Sequence, residues 1–281
     1  MIELHTLINV VLLSLVAGLG TGFGGLLTIF LKPGKRSFGL LMGITAGVMI
    51  TLSFLELVNT AWELAGVWTA TLGFGAGAIS MFLLDHFAPH IRFGEHEIRG
   101  KVVEDGIPQP TGHRRGRGRG WGRWMHENRI TDRRLFQTGV LLAVGITVHN
   151  IPEGIAVGAG YMHAPEFGVF IALAILLHNI PEGIATTLPL CSSGLSRWKS
   201  LRVAFLSGLA EPIGALIAAL FLDVFHNLVP AALAFAGGVM MFITLDELVP
   251  AARKHGHQHY TAIGFILGAI FVFILSGLFG V

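Results

Sequence analysis

The sequence predicts an all-α, polytopic membrane protein with eight transmembrane helices, and three observations support this. Of its 281 residues, 53% are hydrophobic and only 13% are charged, about half the charged fraction of an ordinary soluble domain. Apolar runs of nearly 20 residues recur along the chain, which is the helix length needed to cross a hydrocarbon core of about 30 Å. Basic residues lie only in alternate loops between these runs.

Eight apolar segments, here called spans 1 to 8, divide the chain. Their predicted limits are 7–30, 38–60, 67–89, 135–160, 167–190, 201–222, 230–251 and 260–280. Span 1 lacks the charged start and the cleavage site of a signal peptide, so we expect it to be retained. Residues 1–281 are predicted to form one transmembrane domain. The single cysteine, Cys191, excludes an internal disulfide and a CxxC metal site.

The basic residues predict the orientation of the chain. All 19 Lys and Arg residues lie in the loops after spans 1, 3, 5 and 7, whereas the alternate loops carry Glu63, Glu166 and Asp223. Because basic loops remain cytoplasmic, we expect both termini outside the cell membrane, the inner membrane of a bacterium.

The segment 91–134 between spans 3 and 4 is predicted to be a flexible basic loop. Its sequence GHRRGRGRGWGRW would suggest a nucleic-acid partner in a soluble protein. Next to a membrane, the same composition predicts a Gly-rich cytoplasmic linker that contacts anionic lipid, with no nucleic-acid partner.

Acidic residues inside the apolar spans point to a cation. An ionised group at a helix centre costs about 2.5–3.5 kcal/mol, and no Lys or Arg lies deep enough to neutralise these groups. Protons, sodium and divalent metals are therefore the candidate partners. The acidic residues are Glu56, Asp85, Glu153, Glu182, Glu211, Asp246 and Glu247.

The octapeptide HNIPEGIA occurs twice, at 149–156 and 178–185. In each copy His and Glu are four residues apart and share a helix face, whereas Asn and Glu, three apart, share a neighbouring stripe. Each glutamate is thus able to bridge two ions. Imidazole with carboxylate suits zinc and other first-row divalent ions, whereas sodium and calcium prefer oxygen ligands. The polar members are His149, Asn150, Glu153, His178, Asn179 and Glu182.

Span 6 contributes one more acid in the sequence SGLAEPIGALI, at 207–217. Glu211 directly precedes Pro212, a residue that interrupts helices. We assign Glu211 to the second ion, on the asparagine side of the two glutamates.

An internal repeat predicts a 3+2+3 arrangement of the spans. AGVMITLSFLELV at 46–58 resembles GGVMMFITLDELV at 237–249, and GFGAGAI at 73–79 resembles GFILGAI at 264–270, both offset by 191. GLGTGFGGLL also resembles GLAEPIGALI, 190 residues later. Spans 1–3 therefore correspond to spans 6–8, and their separation by an odd number of spans inverts the second copy. Such inverted repeats are typical of secondary transporters.

These motifs resemble the ZIP (Zrt/Irt-like protein) divalent metal transporters, especially the short bacterial members. The specific part is HNIPEG in spans 4 and 5 and EP in span 6. The resemblance implies a metal importer with a two-metal centre and two transported ions per protomer. Zn²⁺ is the expected substrate, with iron, manganese, cobalt or cadmium as alternatives. It implies a first site of His149, Glu153, His178 and Glu182, and a second of Asn150, Glu153, Asn179, Glu182 and Glu211.

Other polar residues predict a translocation path. Met49, Ser53 and Glu56 share one face of span 2, although a helical methionine is more often a packing residue. The ends of spans 3 and 7 add Asp85, His86, His90, Asp246 and Glu247. A low-affinity cytoplasmic acceptor is predicted at His255, His257 and His259, which could equally form an exposed loop.

Two other functions use similar residues. A metal exporter needs the same ligands, whereas an intramembrane metalloprotease needs HExxH with glutamate next to the first histidine. Here asparagine follows each histidine, so we do not expect an enzyme. Transport by sliding (elevator) or rocking is the favoured interpretation. Gly-rich stretches at 18–25 and 73–77 could support a homodimer.

Overall fold

The computed structural model describes residues 3–31, 34–87 and 130–280, and this part of the chain is helical, which confirms the all-α prediction. The helices are α1 (Leu4–Phe30), α2 (Lys35–Thr51), α3 (Asn59–Phe87), α4 (Arg133–His163), α5 (Pro165–Ser192), α6 (Arg197–Gly208), α7 (Ala210–Val224), α8 (Val229–Ile243), α9 (Val249–His255) and α10 (Gln258–Phe279). Most of the predicted basic loop, residues 88–129, lies outside the described residues.

The described residues contain seven helical stretches long and apolar enough to cross a membrane. Six of them match single predicted spans, and the seventh, Lys35–His86, covers both span 2 and span 3 in 52 residues. An unbroken helix of that length would measure about 78 Å, more than twice the thickness of a hydrocarbon core.

The long stretch is interrupted at Gly66. This residue has φ 78° and ψ 170°, a conformation that side chains with a Cβ rarely adopt. Gly66 lies between the predicted limits of spans 2 and 3, where the sequence predicts a turn. The eight-helix arrangement itself stays a prediction.

Two short π-helical segments lie within the bundle. Leu52–Val58 joins α2 to α3, and Thr244–Leu248 joins α8 to α9. The sequence repeat aligns residues 52–58 with 243–249, so both segments occur at corresponding positions. π-Helical turns often occur at functional sites.

Span 6 is divided into two helices at Leu209, between α6 and α7. Pro212 has no N–H to donate to the carbonyl four residues earlier, which explains the break. Glu211 consequently lies in the first turn of α7, where the positive end of the helix dipole favours an acidic side chain.

Glycines bring pairs of helices into backbone contact. On α1 and α5, a Cβ at Gly20 would lie 2.6 Å from the Leu176 carbonyl oxygen, and one at Gly24 would overlap the Ile180 carbonyl. The contact positions increase together along both helices, so α1 and α5 run parallel. Contact positions also increase together in three other pairs, so α4 is parallel to α7, α2 to α10, and α3 to α8.

The helices form two bundles. The first bundle contains α1, α4, α5, α6 and α7, and the second contains α2, α3, α8, α9 and α10. Contacts between them are made chiefly where α4 meets α8 and where α2 meets α5.

Most glycines that we expected to support a homodimer contact helices of the same chain. Gly18 packs on Gly208, and Gly73 and Gly77 pack on α8. At Gly75, in contrast, a Cβ would meet no other atom within 4 Å. A homodimer stays a prediction.

Gly24 tests the importance of these close contacts. We expect Gly24→Ala to destabilise the protein by about 1–3 kcal/mol, because the added methyl group overlaps a backbone carbonyl in a packed interface. Gly75→Ala is the matched control, since the same change in open space should stabilise its helix by up to about 1 kcal/mol. Thermal unfolding in detergent measures both variants, and equal effects would contradict the packing argument.

Candidate metal centre

The seven ligands predicted from the sequence all lie in the first bundle. The first octapeptide lies on α4, the second on α5, and Glu211 on α7. Each of the seven side chains is at most 2% exposed. Such burial of three carboxylates, two imidazoles and two amides is costly unless a cation or other polar partners compensate.

Glu153, His178 and Glu182 form a compact cluster. Each offers one ligand atom, and these atoms lie within 4.8 Å of one another. Glu153 Oε1 and His178 Nε2 are 3.2 Å apart. Ligand atoms bound to zinc at about 2.1 Å are about 3.4 Å apart in tetrahedral geometry. Small side-chain rotations would therefore close the cluster around an ion.

His149 lies outside this cluster. Its Nε2 is 3.4 Å from Glu247 Oε1, and Glu247 belongs to the π-helical segment between α8 and α9. The structure thus brings together three of the four residues predicted for the first site, and it pairs the fourth with the second bundle. Sequence reasoning placed Glu247 on the path and missed this contact. The sequence signal that pointed to Glu247 is its alignment with Glu56 in the internal repeat.

The asparagine side is organised by hydrogen bonds to the protein. Asn179 Nδ2 donates to Glu211 Oε1 and to the Ala17 carbonyl, the latter at 3.1 Å. Asn150 Nδ2 donates to the Ser207 carbonyl at 2.9 Å. Both amide groups are thereby oriented, and their side-chain oxygens remain available as ligands.

Six buried oxygens in this region have no hydrogen-bond partner among the described residues. They are Asn150 Oδ1, Asn179 Oδ1 and the Oε2 atoms of Glu153, Glu182, Glu211 and Glu247. An unpaired buried polar atom costs about 1–3 kcal/mol. Oxygens of amides and ionised carboxylates accept hydrogen bonds or bind cations. The chemistry of this set therefore fits metal ions.

The path residues of span 2 are buried. Met49 and Ser53 are 0% exposed and Glu56 is 7% exposed. The Thr244 hydroxyl donates to Met49 Sδ at 3.5 Å, so this thioether packs against the π-helical segment Thr244–Leu248.

The remaining path residues are dispersed. Asp85 is buried, whereas its neighbour His86 is exposed and stacks on Phe82. Asp246 is exposed and Glu247 is buried, so these two adjacent acids point to different surroundings. His257 and His259 are exposed, with ring centroids 5.7 Å apart. His90 and the side chain of His255 lie outside the described residues.

The sequence matches the family model of the ZIP zinc transporter over residues 62–276. The chain belongs to the ZIP family. It is 39% identical to a zinc transporter ZupT of Akkermansia muciniphila, over 96% of this chain and 97% of that protein. Zinc transporters ZupT of Clostridium perfringens and Corynebacterium efficiens are 35% and 38% identical, each over at least 94% of both proteins.

Family membership and the seven apolar helices identify a multi-pass membrane protein. The ZIP relatives are transporters and not enzymes, which agrees with the lack of an HExxH motif. The buried Glu-His-Glu cluster lies within the matched region. Among the described residues, it is a group of buried His and Glu side chains that can hold a metal ion.

Metal binding at this cluster is tested by Glu182→Gln, which replaces a carboxylate by a neutral amide of similar size. Zn²⁺ at 100 times its Kd should stabilise the unaltered protein by about 2.7 kcal/mol. We expect the variant to lose at least half of this stabilisation, because the amide is a weaker ligand. Thermal unfolding in detergent with and without Zn²⁺ measures the effect. Glu166→Gln, at an exposed position, should keep the full stabilisation, and equal behaviour of the two variants would exclude the site.

Proposed function

We propose that this chain imports Zn²⁺, or a related divalent ion such as iron, manganese, cobalt or cadmium, into the cytoplasm. The buried cluster of Glu153, His178 and Glu182 carries this proposal. Its mixed nitrogen and oxygen ligands suit first-row divalent ions. The names of the relatives, which are zinc transporters, support the same substrate for this chain.

We also propose two ions in each protomer. The first lies on the histidine side, between Glu153, His178 and Glu182, with His149 joining when it leaves Glu247. The second lies on the asparagine side, where Asn150, Asn179 and Glu211 present oxygens. Glu153 and Glu182 bridge the two, since each has one carboxylate oxygen with no hydrogen-bond partner among the described residues.

The parallel helix pairs support eight spans with alternating direction. Spans 1 and 5, 4 and 6, 2 and 8, and 3 and 7 run parallel, as they must if the chain reverses after each span. This arrangement requires a reversal at Gly66. The positive-inside rule then places both termini outside the bacterial inner membrane.

The same pairs support the inverted repeat. The repeat exchanges spans 1–3 with spans 6–8, and span 4 with span 5. Under this exchange the pair of spans 1 and 5 becomes the pair of spans 6 and 4. The pair of spans 2 and 8 likewise becomes the pair of spans 7 and 3. Two corresponding contacts support it further. Gly154 packs on the Glu211 carbonyl, and Gly183 packs on the Thr21 carbonyl, and the repeat aligns Thr21 with Glu211.

Alternating access follows from the division into bundles. The seven predicted ligands belong to the first bundle, and Glu247 belongs to the second. We propose that the first bundle slides or rocks against the second and carries the ions with it. The His149–Glu247 contact would then form in one state and break in the other. His149 would thus contact Glu247 in one state and bind the first ion in the other.

Metal uptake tests the function and its direction. Bacterial cells that express the chain should accumulate radioactive Zn²⁺, and Glu182→Ala should abolish the accumulation because it removes a ligand of both ions. Glu166→Ala is the control for expression and insertion. Net loss of Zn²⁺ from preloaded cells would identify an exporter instead. Near-normal uptake by inserted Glu182→Ala would contradict the two-ion centre.

The two ions are predicted to have unequal roles. Histidine is a stronger ligand than asparagine for a borderline metal, so His178→Ala should reduce uptake far more than Glu211→Ala. Glu211→Lys adds a tethered ammonium that can replace the second ion, and it should retain measurable uptake with one bound metal. Uptake and metal content of the purified variants measure this. A correctly inserted Glu211→Lys protein that binds one metal and transports none would show that both ions are essential.

A further inference from the structure

A groove of about 340 Å³ opens where α2, α9 and α10 of the second bundle meet. Most of its lining is apolar, and exposed Ile263, Ile266 and Leu267 lie on the same helix, α10. In a membrane-crossing protein these exposed apolar side chains face lipid. The lining residues are Gly43, Ala46, Val249, Arg253, Gln258, Thr261, Ala262 and Phe265.

The groove extends from the end of the bundle into the membrane. Gln258 is the first residue of α10, and Phe265 lies seven residues further, about 10 Å along the helix axis. Arg253 lies near the end of α9, next to the start of α10. One end of the groove is therefore polar and lies at the level of the helix ends, while the other is apolar and lies deeper.

Positive charge is concentrated at the polar end. The side chain of Arg253 is exposed and has no acidic partner among the described residues. Arg36 lies over the Tyr260 ring, 5.8 Å from its centroid, and Lys35 begins α2 at the same end. A second groove, lined by Asn9, Leu12, Leu13, Val16, Tyr161 and Val169, contains no charged residue.

We propose that the groove of α2, α9 and α10 binds an anionic phospholipid, with the phosphate at Arg253 and an acyl chain along Ala46 and Phe265. A cation above an apolar channel matches an amphipathic anion. Free phosphate would leave the apolar part unfilled. The proposal depends on membrane insertion and not on the metal chemistry, so the two can fail separately.

Native mass spectrometry of the purified protein tests the headgroup contact. With equal amounts of phosphatidylglycerol and zwitterionic phosphatidylethanolamine, we expect preferential retention of phosphatidylglycerol. Arg253→Gln should weaken that retention roughly tenfold, since it removes one charge-assisted contact. Arg202→Gln is the matched control, because Arg202 is also exposed but lies on α6, away from the groove.

A second pair of variants tests the acyl-chain position. Ala262→Phe should fill the groove and remove the preference, whereas Ile263→Phe, at the adjacent lipid-facing position, should keep it. Equal retention of the two lipids by the unaltered protein would overturn the proposal. So would equal losses in Arg253→Gln and Arg202→Gln, because that result would indicate only general attraction to basic residues.

Discussion

The carboxylates buried inside the membrane, each with one unpartnered oxygen, are the constraint on which the rest of the structure depends. Glu153, Glu182 and Glu211 are buried at the centre of the first bundle, and each keeps one oxygen with no hydrogen-bond partner among the described residues. In hydrocarbon neither water nor lipid tails can compensate them. A divalent cation can, and its binding energy would offset the cost of burying the acids. The same cost favours binding of a cation whenever the site is empty.

The glycines make this concentration of polar groups possible. Gly154 and Gly183 directly follow the two glutamates, and each lets a neighbouring backbone approach so closely that a Cβ would overlap it. These contacts pack α4 on α7 and α5 on α1, and such close packing excludes lipid from the centre. The second bundle uses the same type of packing between α2 and α10 and between α3 and α8. Each bundle is therefore suited to act as a rigid unit, and the fewer contacts between them are where movement would occur.

Much of the fold and site could be predicted from local rules in the sequence. The limits of most spans follow from length and hydropathy, and the cluster of Glu153, His178 and Glu182 joins residues that the repeated octapeptide marked. The pairing of His149 with Glu247 could not be predicted, because it depends on a π-helical segment that shifts the phase of the helix by part of a turn. Residue counting assumes a regular helix, so it does not give the face on which Glu247 lies. For the glycines at 18–25 and 73–77, close packing against a helix could be predicted from the sequence. The helix against which they pack could not.

The difference between Thr21 and Glu211 explains why the two metal positions are unequal under the proposed repeat. Their backbones occupy corresponding places, since each carbonyl receives a glycine of one octapeptide. Their side chains differ, because Thr21 offers a neutral hydroxyl and Glu211 a carboxylate that Asn179 holds in place. A pair of acids at these two positions would add a further uncompensated charge to a centre that already has Glu153 and Glu182. In the proposed two-ion centre, one acid would be sufficient to attract the second cation to the asparagine side. It also allows that cation to be replaced by a proton or a tethered ammonium, which fits a modulating role better than a transported one.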